Sequence, residues 1–301
     1  MTERADPISY FLRCYRCAAT VEASVASILN GNLRPGDEIV MVEDGSEDGT
    51  WDVLQSLASR HPDIRLVRHK TNRGGAVAGN TAIRHARHSL LFCLDSDNLL
   101  VPGSVPRLQA HLNAQDADAA AVGELWYFRG ALPKVTHRWV YRDVVTLADC
   151  FAGPVVPPAS GNYLFTRSSW ERAGGYPEVD GAAETWGFGF RQLATGARMV
   201  TLPGTHYLHR YGHESYWVRL SRDGRVSQAT AKVVEPFFQD RFPEASVRAM
   251  TEEPGCHDWF DALTQRPLAL NEGLGQPGRV DNPFPRWWQR HSMRRALKGL
   301  E

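Results

Sequence analysis

Short apolar segments alternate with segments of helical spacing through the N-terminal third of the chain, and this alternation constrains the fold more than any other sequence feature. The segments that predict strands are residues 8–12, 38–42, 64–67 and 89–94. Apolar residues between them recur at helical spacing, which predicts helices. Strands that alternate with helices are typical of βαβ units and a mostly parallel sheet. Because such sheets bind ligands beyond the carboxyl ends of their strands, we expect a site at that edge.

The remainder of the chain is less regular, although it continues the mixture of strands and helices. Residues 119–128, 162–166 and 199–202 predict strands, and residues 168–173 and 184–193 predict helices. A proline-rich loop is expected at residues 151–160. From residue 221 onward the pattern becomes helical and loop-like.

Composition excludes some functions and suggests a compartment. The chain has 34 basic and 34 acidic side chains, so a chain-wide electrostatic interaction with nucleic acid is not expected. Its five cysteines are odd in number and scattered, which is typical of a reducing compartment. Cys14 and Cys17 form a CxxC pair, for which ordinary packing is favoured over a redox role. With no signal-peptide pattern and no apolar run of spanning length, a cytoplasmic protein is expected.

Two carboxylates, Asp95 and Asp97, follow a predicted strand and flank Ser96. They repel each other at such short spacing, and a divalent cation relieves that repulsion. A departing diphosphate needs such a cation to offset its charge. The alternative is an Asx-type turn that caps the next helix. The position after a buried strand favours a metal site.

A second acidic turn follows the second predicted strand. Asp44 in this turn is expected to accept a hydrogen bond from a nucleobase or ribose. Tyr15, after the first strand, is suited to stack on that base. Helix capping by Asp44 or Ser46 and an ordinary exposed Tyr15 are the alternatives.

The order of these motifs resembles the family 2 glycosyltransferases, which adopt the GT-A fold. The resemblance covers about residues 7–220. The residues that carry it are Tyr15, Val42-Glu43-Asp44-Gly45-Ser46-Glu47-Asp48, Asn72-Arg73-Gly74-Gly75, Asp95-Ser96-Asp97 and Gly174-Gly175-Tyr176-Pro177-Glu178.

The resemblance implies roles for several of these residues. Asp44 would contact the base, and Asp97 would ligate Mn²⁺ or Mg²⁺ on the donor diphosphate. Asp95 would contact the ribose or join the metal shell, and Ser96 lies in the same donor-binding turn. Arg73 would reach the base or a phosphate, although a surface arginine explains it equally well.

The resemblance also indicates a catalytic base. The family often carries a Glu-Asp pair before a helix, and here only Glu184 is present, so Glu184 is the candidate general base. Asp180 is the fallback, and an acid favoured by the helix dipole is the alternative for Glu184. Trp186 is either a sugar platform or a core residue.

Histidines are clustered further along the chain. His209 and His213 are candidate metal ligands, since imidazole is an acceptable ligand for Mn²⁺. His206 belongs to the same cluster, and structural roles for all of these histidines remain open.

Together these features predict a metal-dependent, inverting glycosyltransferase that uses a nucleotide-sugar, favoured as a UDP-sugar, and a carbohydrate or glycosylated acceptor. An α/β GT-A domain is expected over residues 1–220, with a nucleotide-sugar-binding half at 7–127 and an acceptor half at 128–220. A helical extension is expected over residues 221–301. Its basic, Trp-containing end either packs on the protein or makes a peripheral membrane contact. The alternatives are a catalytically silent domain that binds nucleotide or glycan, and a nucleotidyltransferase.

Overall fold

A computed structural model of the chain describes residues 6–130, 134–141, 144–145, 161–179, 184–211 and 232–233. The strands in chain order are β1 Ile8–Cys14, β2 Glu38–Asp44, β3 Ile64–His69, β4 Leu90–Cys93, β5 Leu99–Leu100, β6 Ala119–Arg129, β7 Lys134–Val140, β8 Val144–Val145, β9 Tyr163–Thr166 and β10 Met199–Arg210. The helices are α1 Val21–Leu29, α2 Thr50–Arg60, α3 Gly75–His85, α4 Ser104–Ala114, α5 Arg167–Arg172 and α6 Glu184–Ala194.

The strands form a ten-stranded sheet with a main order of β3-β2-β1-β4-β9-β6-β10-β5. Strands β3, β2, β1 and β4 are parallel neighbours. Strand β9 is antiparallel to both β4 and β6, and β10 then runs parallel to β6. The predicted α/β class with a mostly parallel central sheet flanked by helices is confirmed.

The core lies on both faces of this sheet. Along β1, Tyr10 and Leu12 pack toward α1, α2 and α4, whereas Phe11 packs toward α3 and α6. Successive side chains of a strand point to opposite faces, so a strand covered on both sides must be apolar throughout. A charged side chain in such a strand is therefore notable, and Arg13 is one.

Several elements differ from the sequence-based expectation. Strand β2 continues to Asp44, and β10 continues to Arg210, well beyond the predicted end at residue 202. The register between β10 and β6 shifts between Leu202 and His206, because the proline and glycine between them form an irregularity rather than ending the strand. Helix α4 was not predicted. Most of the predicted extension at 221–301, including its basic end, and the loop at 151–160 lie outside the described residues.

Two sequence expectations about composition can be compared with the fold. Cys14 and Cys17 are buried free thiols, in agreement with ordinary packing. Within the described part of the chain, no helix is both long enough and apolar enough to cross a bilayer.

Candidate active site

Most of the candidate site residues gather where β1, β2 and β4 end. These strands are parallel, so their carboxyl ends meet at one edge of the sheet. Arg13 lies near the end of β1, Asp44 is the last residue of β2, and Asp95 and Asp97 lie two and four residues beyond the last residue of β4, Cys93. Helix α6 brings Glu184 to the same place.

Asp95 is held by three side chains that donate hydrogen bonds to its carboxylate. Arg13 Nη2 lies 2.6 Å from Asp95 Oδ1. The side-chain amides of Asn162 and Asn98 donate to Asp95 Oδ2 over 2.8 Å and 3.2 Å. Burial acts to raise the pKa of Asp95, but Arg13 and Asn162 outweigh it and hold that pKa below its usual range. Asp95 is therefore an ionised, firmly oriented carboxylate.

Asp97 lies in a different electrostatic environment. Burial, and secondly repulsion by Asp95, raise the pKa of Asp97 to about 7, although Arg210 opposes the increase. A divalent cation would relieve the repulsion between these two carboxylates and would favour the ionised form of Asp97.

The fit to a divalent cation depends on how many ligands the protein must supply. No group of three or more His, Cys, Asp or Glu suited to a metal occurs among the described residues. A cation on a diphosphate needs fewer, because Mg²⁺ in phosphate-transfer sites is bound through one or two carboxylates plus substrate oxygens. The carboxylates of Asp95 and Asp97 satisfy that requirement in number and chemistry.

The histidines on β10 divide into separate environments. His209 is close enough to Asp95 for its charge to lower the pKa of that carboxyl, and its ring lies 5.0 Å from the Tyr127 ring. His206 instead stacks on Trp126 with 3.6 Å between ring centroids. His213 lies outside the described residues. Of the candidate metal ligands, His209 is thus placed near the acidic turn.

Asp44 is buried and its carboxylate is already bonded to the protein. The backbone N–H groups of Arg73 and Gly74 donate to it over 3.0 Å and 2.8 Å, and His69 Nδ1 lies 2.6 Å from Oδ1. A base contact would therefore form in addition to these bonds. The capping alternative is wrong, since Gly49 precedes α2 and the Thr50 N–H donates to Asp48 Oδ1 over 3.2 Å, not to Asp44 or Ser46.

The other predicted donor-side residues lie at the surface of this edge. Tyr15 is 39% exposed and the Arg16 guanidinium lies 5.2 Å from its ring centroid. The Arg73 side chain is exposed. Ser96 is half-buried, and its carbonyl accepts a hydrogen bond from Thr20 over 2.9 Å. Their predicted contacts with a donor remain predictions.

Glu184 is the first residue of α6 and its side chain is only 15% exposed. Its Oε1 lies 3.8 Å from Arg13 Nη1, and its Oε2 has no hydrogen-bond partner within the described ranges. Burial raises the pKa of Glu184, Arg13 opposes the increase, and Asp95 adds to it. A carboxylate with a raised pKa is suited to accept a proton near neutral pH. The fallback, Asp180, lies outside the described residues.

Two residues of the site could not be assigned from the sequence. Arg13 contacts both Asp95 and Glu184, and Asn162 bonds Asp95. Arg13 does leave one signal, because a charged residue in a strand buried on both faces requires acidic partners. Asn162 leaves none.

Comparison with solved structures identifies the fold as GT-A. The chain matches solved GT-A glycosyltransferases, including a mannosyltransferase from Pyrobaculum calidifontis in complex with GDP-Man and Mn²⁺, with a TM-score of 0.61, 21% identity and coverage of 100% of this chain and 82% of that one. It also matches S. aureus TarS 1-349 in complex with UDP-GlcNAc, with a TM-score of 0.57, 13% identity and coverage of 97% and 91%.

Sequence comparison identifies the family. The profile described as "Glycosyl transferase family 2" matches residues 9–172, and the chain belongs to this family. It is 33% identical over 98 residues to the poly-beta-1,6-N-acetyl-D-glucosamine synthase of Staphylococcus epidermidis, covering 33% of this chain and 23% of that synthase. It is 34% identical over 103 residues to the chondroitin synthase of Escherichia coli, covering 34% and 15%. The chain thus matches less than a quarter of the length of each of these relatives.

Proposed function

We propose that the chain transfers a sugar from a nucleoside diphosphate donor to an acceptor hydroxyl, with a divalent cation and with inversion at the anomeric carbon. The observation that carries this proposal is that two carboxylates from distant parts of the chain, Asp95 and Glu184, both lie beside the Arg13 guanidinium. Asp95 of the acidic turn lies 2.6 Å from its guanidinium and Glu184 lies 3.8 Å from it. The acidic turn that contains Asp95 is suited to the donor, and Glu184 is suited to the acceptor.

In this mechanism Glu184 takes the proton of the acceptor hydroxyl. The acceptor oxygen then forms a bond to the anomeric carbon as the bond from that carbon to the diphosphate breaks. The raised pKa of Glu184 supports this role, because a base is most effective when its pKa lies near the working pH. A single displacement of this kind inverts the anomeric configuration.

The cation would be held by Asp97, with Asp95 and His209 beside it. When bound, it would neutralise charge on the departing diphosphate. Asp95 already has three donors on its oxygens, so a cation bound to Asp95 would compete with those hydrogen bonds. The Mn²⁺ in the mannosyltransferase from Pyrobaculum calidifontis supports cation use.

A UDP-sugar is the proposed donor and a carbohydrate is the proposed acceptor. The S. aureus protein was solved with UDP-GlcNAc and the mannosyltransferase with GDP-Man, so a guanine donor is the alternative to test. The poly-beta-1,6-N-acetyl-D-glucosamine synthase and the chondroitin synthase among the relatives support a glycan acceptor.

Calorimetric titration tests the donor site. UDP and GDP are titrated separately with Mn²⁺ and with EDTA into the wild type, Asp97→Ala and the control Asp52→Ala, which removes an exposed acid of α2. We expect metal-dependent binding of UDP that Asp97→Ala abolishes and Asp52→Ala preserves. Binding of neither nucleotide under any condition would overturn the donor site. Nucleotide binding without donor hydrolysis or transfer would favour a catalytically silent domain.

A further inference from the structure

Arg13 joins two parts of the site that are far apart in sequence. Its Nη2 donates to Asp95 Oδ1 over 2.6 Å, and both of its terminal nitrogens lie 3.4 Å from Thr185 Oγ1. Its Nη1 is also 3.8 Å from Glu184 Oε1. The side chain is 11% exposed, so these contacts form largely away from water. One guanidinium therefore contacts the donor-side turn and the first turn of α6 at the same time.

The packing around Arg13 leaves its guanidinium little freedom. The Tyr176 ring centroid lies 5.6 Å from the guanidinium carbon. On the α3 side, a Cβ at Gly79 would lie 3.4 Å from Arg13 Cδ, and a Cβ at Gly75 would lie 2.9 Å from Glu184 Oε1. A side chain at position 75 would therefore displace the Glu184 carboxylate, and one at position 79 would press on the Tyr176 ring, 3.1 Å from the added Cβ.

We propose that Arg13 is a positioning residue that holds the candidate base Glu184 in a defined relation to the donor-side carboxylate Asp95. This inference rests on the proposed function. Arginine suits the task because its planar fork presents several donors in a rigid geometry, whereas a lysine ammonium is a single point charge.

Loss of Arg13 should affect the two sides of the site unequally. Asp95 would retain the amide donors of Asn162 and Asn98. Glu184 would lose its charged partner, and its Oε2 has no hydrogen-bond partner among the described residues. Acceptor activation should therefore suffer more than donor binding, which a general loss of folding would not produce.

The experiment measures donor affinity by calorimetry with Mn²⁺, kcat for transfer and the melting temperature. The variants are Arg13→Met, Arg13→Lys and Asn162→Ala. The matched control is Arg172→Met, which removes an arginine whose 2.5 Å ion pair with Asp118 lies outside the site. For Arg13→Met we expect kcat to fall about 100-fold, the scale of a misplaced reacting group, while donor affinity changes only a few-fold.

The other variants distinguish positioning from charge or stability. Arg13→Lys keeps a positive charge but reaches one carboxylate, so it should restore the melting temperature and leave kcat at least about tenfold low. Asn162→Ala should show the opposite division, with a greater loss of donor affinity than of kcat. Arg172→Met should leave both kcat and donor affinity unchanged.

Several outcomes would overturn the inference. The first is a kcat for Arg13→Met within twofold of the wild type, and the second is full recovery of kcat in Arg13→Lys. The third is a loss of kcat and of donor affinity in equal proportion, accompanied by a matching fall in the melting temperature. If Arg13→Met does not fold, Arg13→Lys and Asn162→Ala decide by the same criteria. A wild type that binds no nucleotide would fail before any variant is compared, which identifies the proposed function as the error.

Discussion

At the scale of single residues, Asp95 and Glu184 contact the same guanidinium and yet their pKa values move in opposite directions. Asp95 accepts a direct 2.6 Å hydrogen bond from Arg13 and further bonds from two amides, and its pKa is lowered. Glu184 is 3.8 Å away from Arg13, and its pKa is raised, first of all by burial. Titratable neighbours whose pKa values are pushed apart are typical of sites that divide acid and base roles.

This difference predicts the pH dependence of turnover. Glu184 must be ionised to accept a proton, and its pKa is raised, so kcat should fall with decreasing pH at a higher pH than the ordinary glutamate pKa of about 4.3. Glu184→Gln should lower kcat by about 10²- to 10⁴-fold and remove this decline. Steady-state rates across pH measure both effects, with exposed Glu22→Gln as the control. A pH profile that Glu184→Gln leaves intact would mean that another group, such as Asp97 with its pKa of about 7, sets the decline, and would contradict this prediction.

At the scale of elements, Asn80 of α3 fastens α5 and the segment that follows it, residues 176–178. Its Oδ1 accepts from the Tyr176 N–H over 2.9 Å and from the Trp170 indole N–H over 3.1 Å. Its Nδ2 donates to the Tyr176 carbonyl over 3.0 Å and to Glu178 over 2.9 Å. Helix α3 thereby positions the residues that directly follow α5.

Removal of this anchor should lower stability. Asn80→Ala leaves several buried polar groups of the segment without partners, each costing about 1–3 kcal/mol. We expect the free energy of unfolding to fall by about 2–4 kcal/mol, measured by urea denaturation. Exposed Asn113→Ala on α4 is the matched control and should remain within about 0.5 kcal/mol of the wild type. Equal effects of the two substitutions would contradict the anchoring role.

The turn after β2 packs on the loop before α3 through Gly45. Gly45 has a φ of +72°, and a Cβ there would lie 2.5 Å from the Asn72 backbone nitrogen. Gly49 has a similar φ of +82° but has nothing within 4 Å of a Cβ. These glycines share a backbone conformation and differ in the space around them.

Alanine substitution separates the effects of backbone conformation and close packing. Gly49→Ala should cost about 1–2 kcal/mol for the left-handed conformation. Gly45→Ala should add about 1–3 kcal/mol of overpacking to that cost, and it should displace the loop that bonds Asp44. Chemical denaturation of both variants gives the comparison. Equal losses would mean that the contact with the loop contributes nothing.

At the scale of the whole molecule, buried Glu38 ties the beginning of β2 to the chain before β4. It accepts hydrogen bonds from the Arg87 backbone over 2.6 Å, from the Arg87 side chain over 2.9 Å and from Ser9 over 2.7 Å. Burial acts to raise the pKa of Glu38, but these bonds outweigh it and hold that pKa below its usual range. The parallel half of the sheet thus contains an ionised carboxylate at its amino-terminal edge.

Glu38 should make the whole fold sensitive to acid. Its pKa is lower in the folded than in the unfolded chain, so its contribution is present above the unfolded value and is lost as pH falls through the folded value. We expect stability to decrease from pH 6 to pH 3 and Glu38→Gln to flatten part of that decrease. Urea denaturation at each pH measures this, with exposed Glu171→Gln as the control. An unchanged pH dependence in Glu38→Gln would contradict the assignment.

The sequence alone determined the strands and helices of the parallel half, the family, and the acidic residues at strand ends. These depend on local periodicity and on neighbouring residues, since a strand end identifies Asp44, Asp95 and Asp97 without knowledge of strand order. The extended β10 and helix α4 were not predictable in this way. In β10, pairing with β6 continues the strand past Pro203 and Gly204, which locally favour an end to a strand.

Only the tertiary structure decided which side chains complete the site. Arg13 reaches Asp95 across 82 positions and Thr185 across 172, and Asn162 reaches Asp95 across 67. Such contacts depend on the insertion of antiparallel β9 beside β4 and on the placement of α6 over the edge of the sheet. Sequence periodicity fixes the face on which a side chain lies, but the order of strands fixes its partner, and that order results from packing of the whole chain.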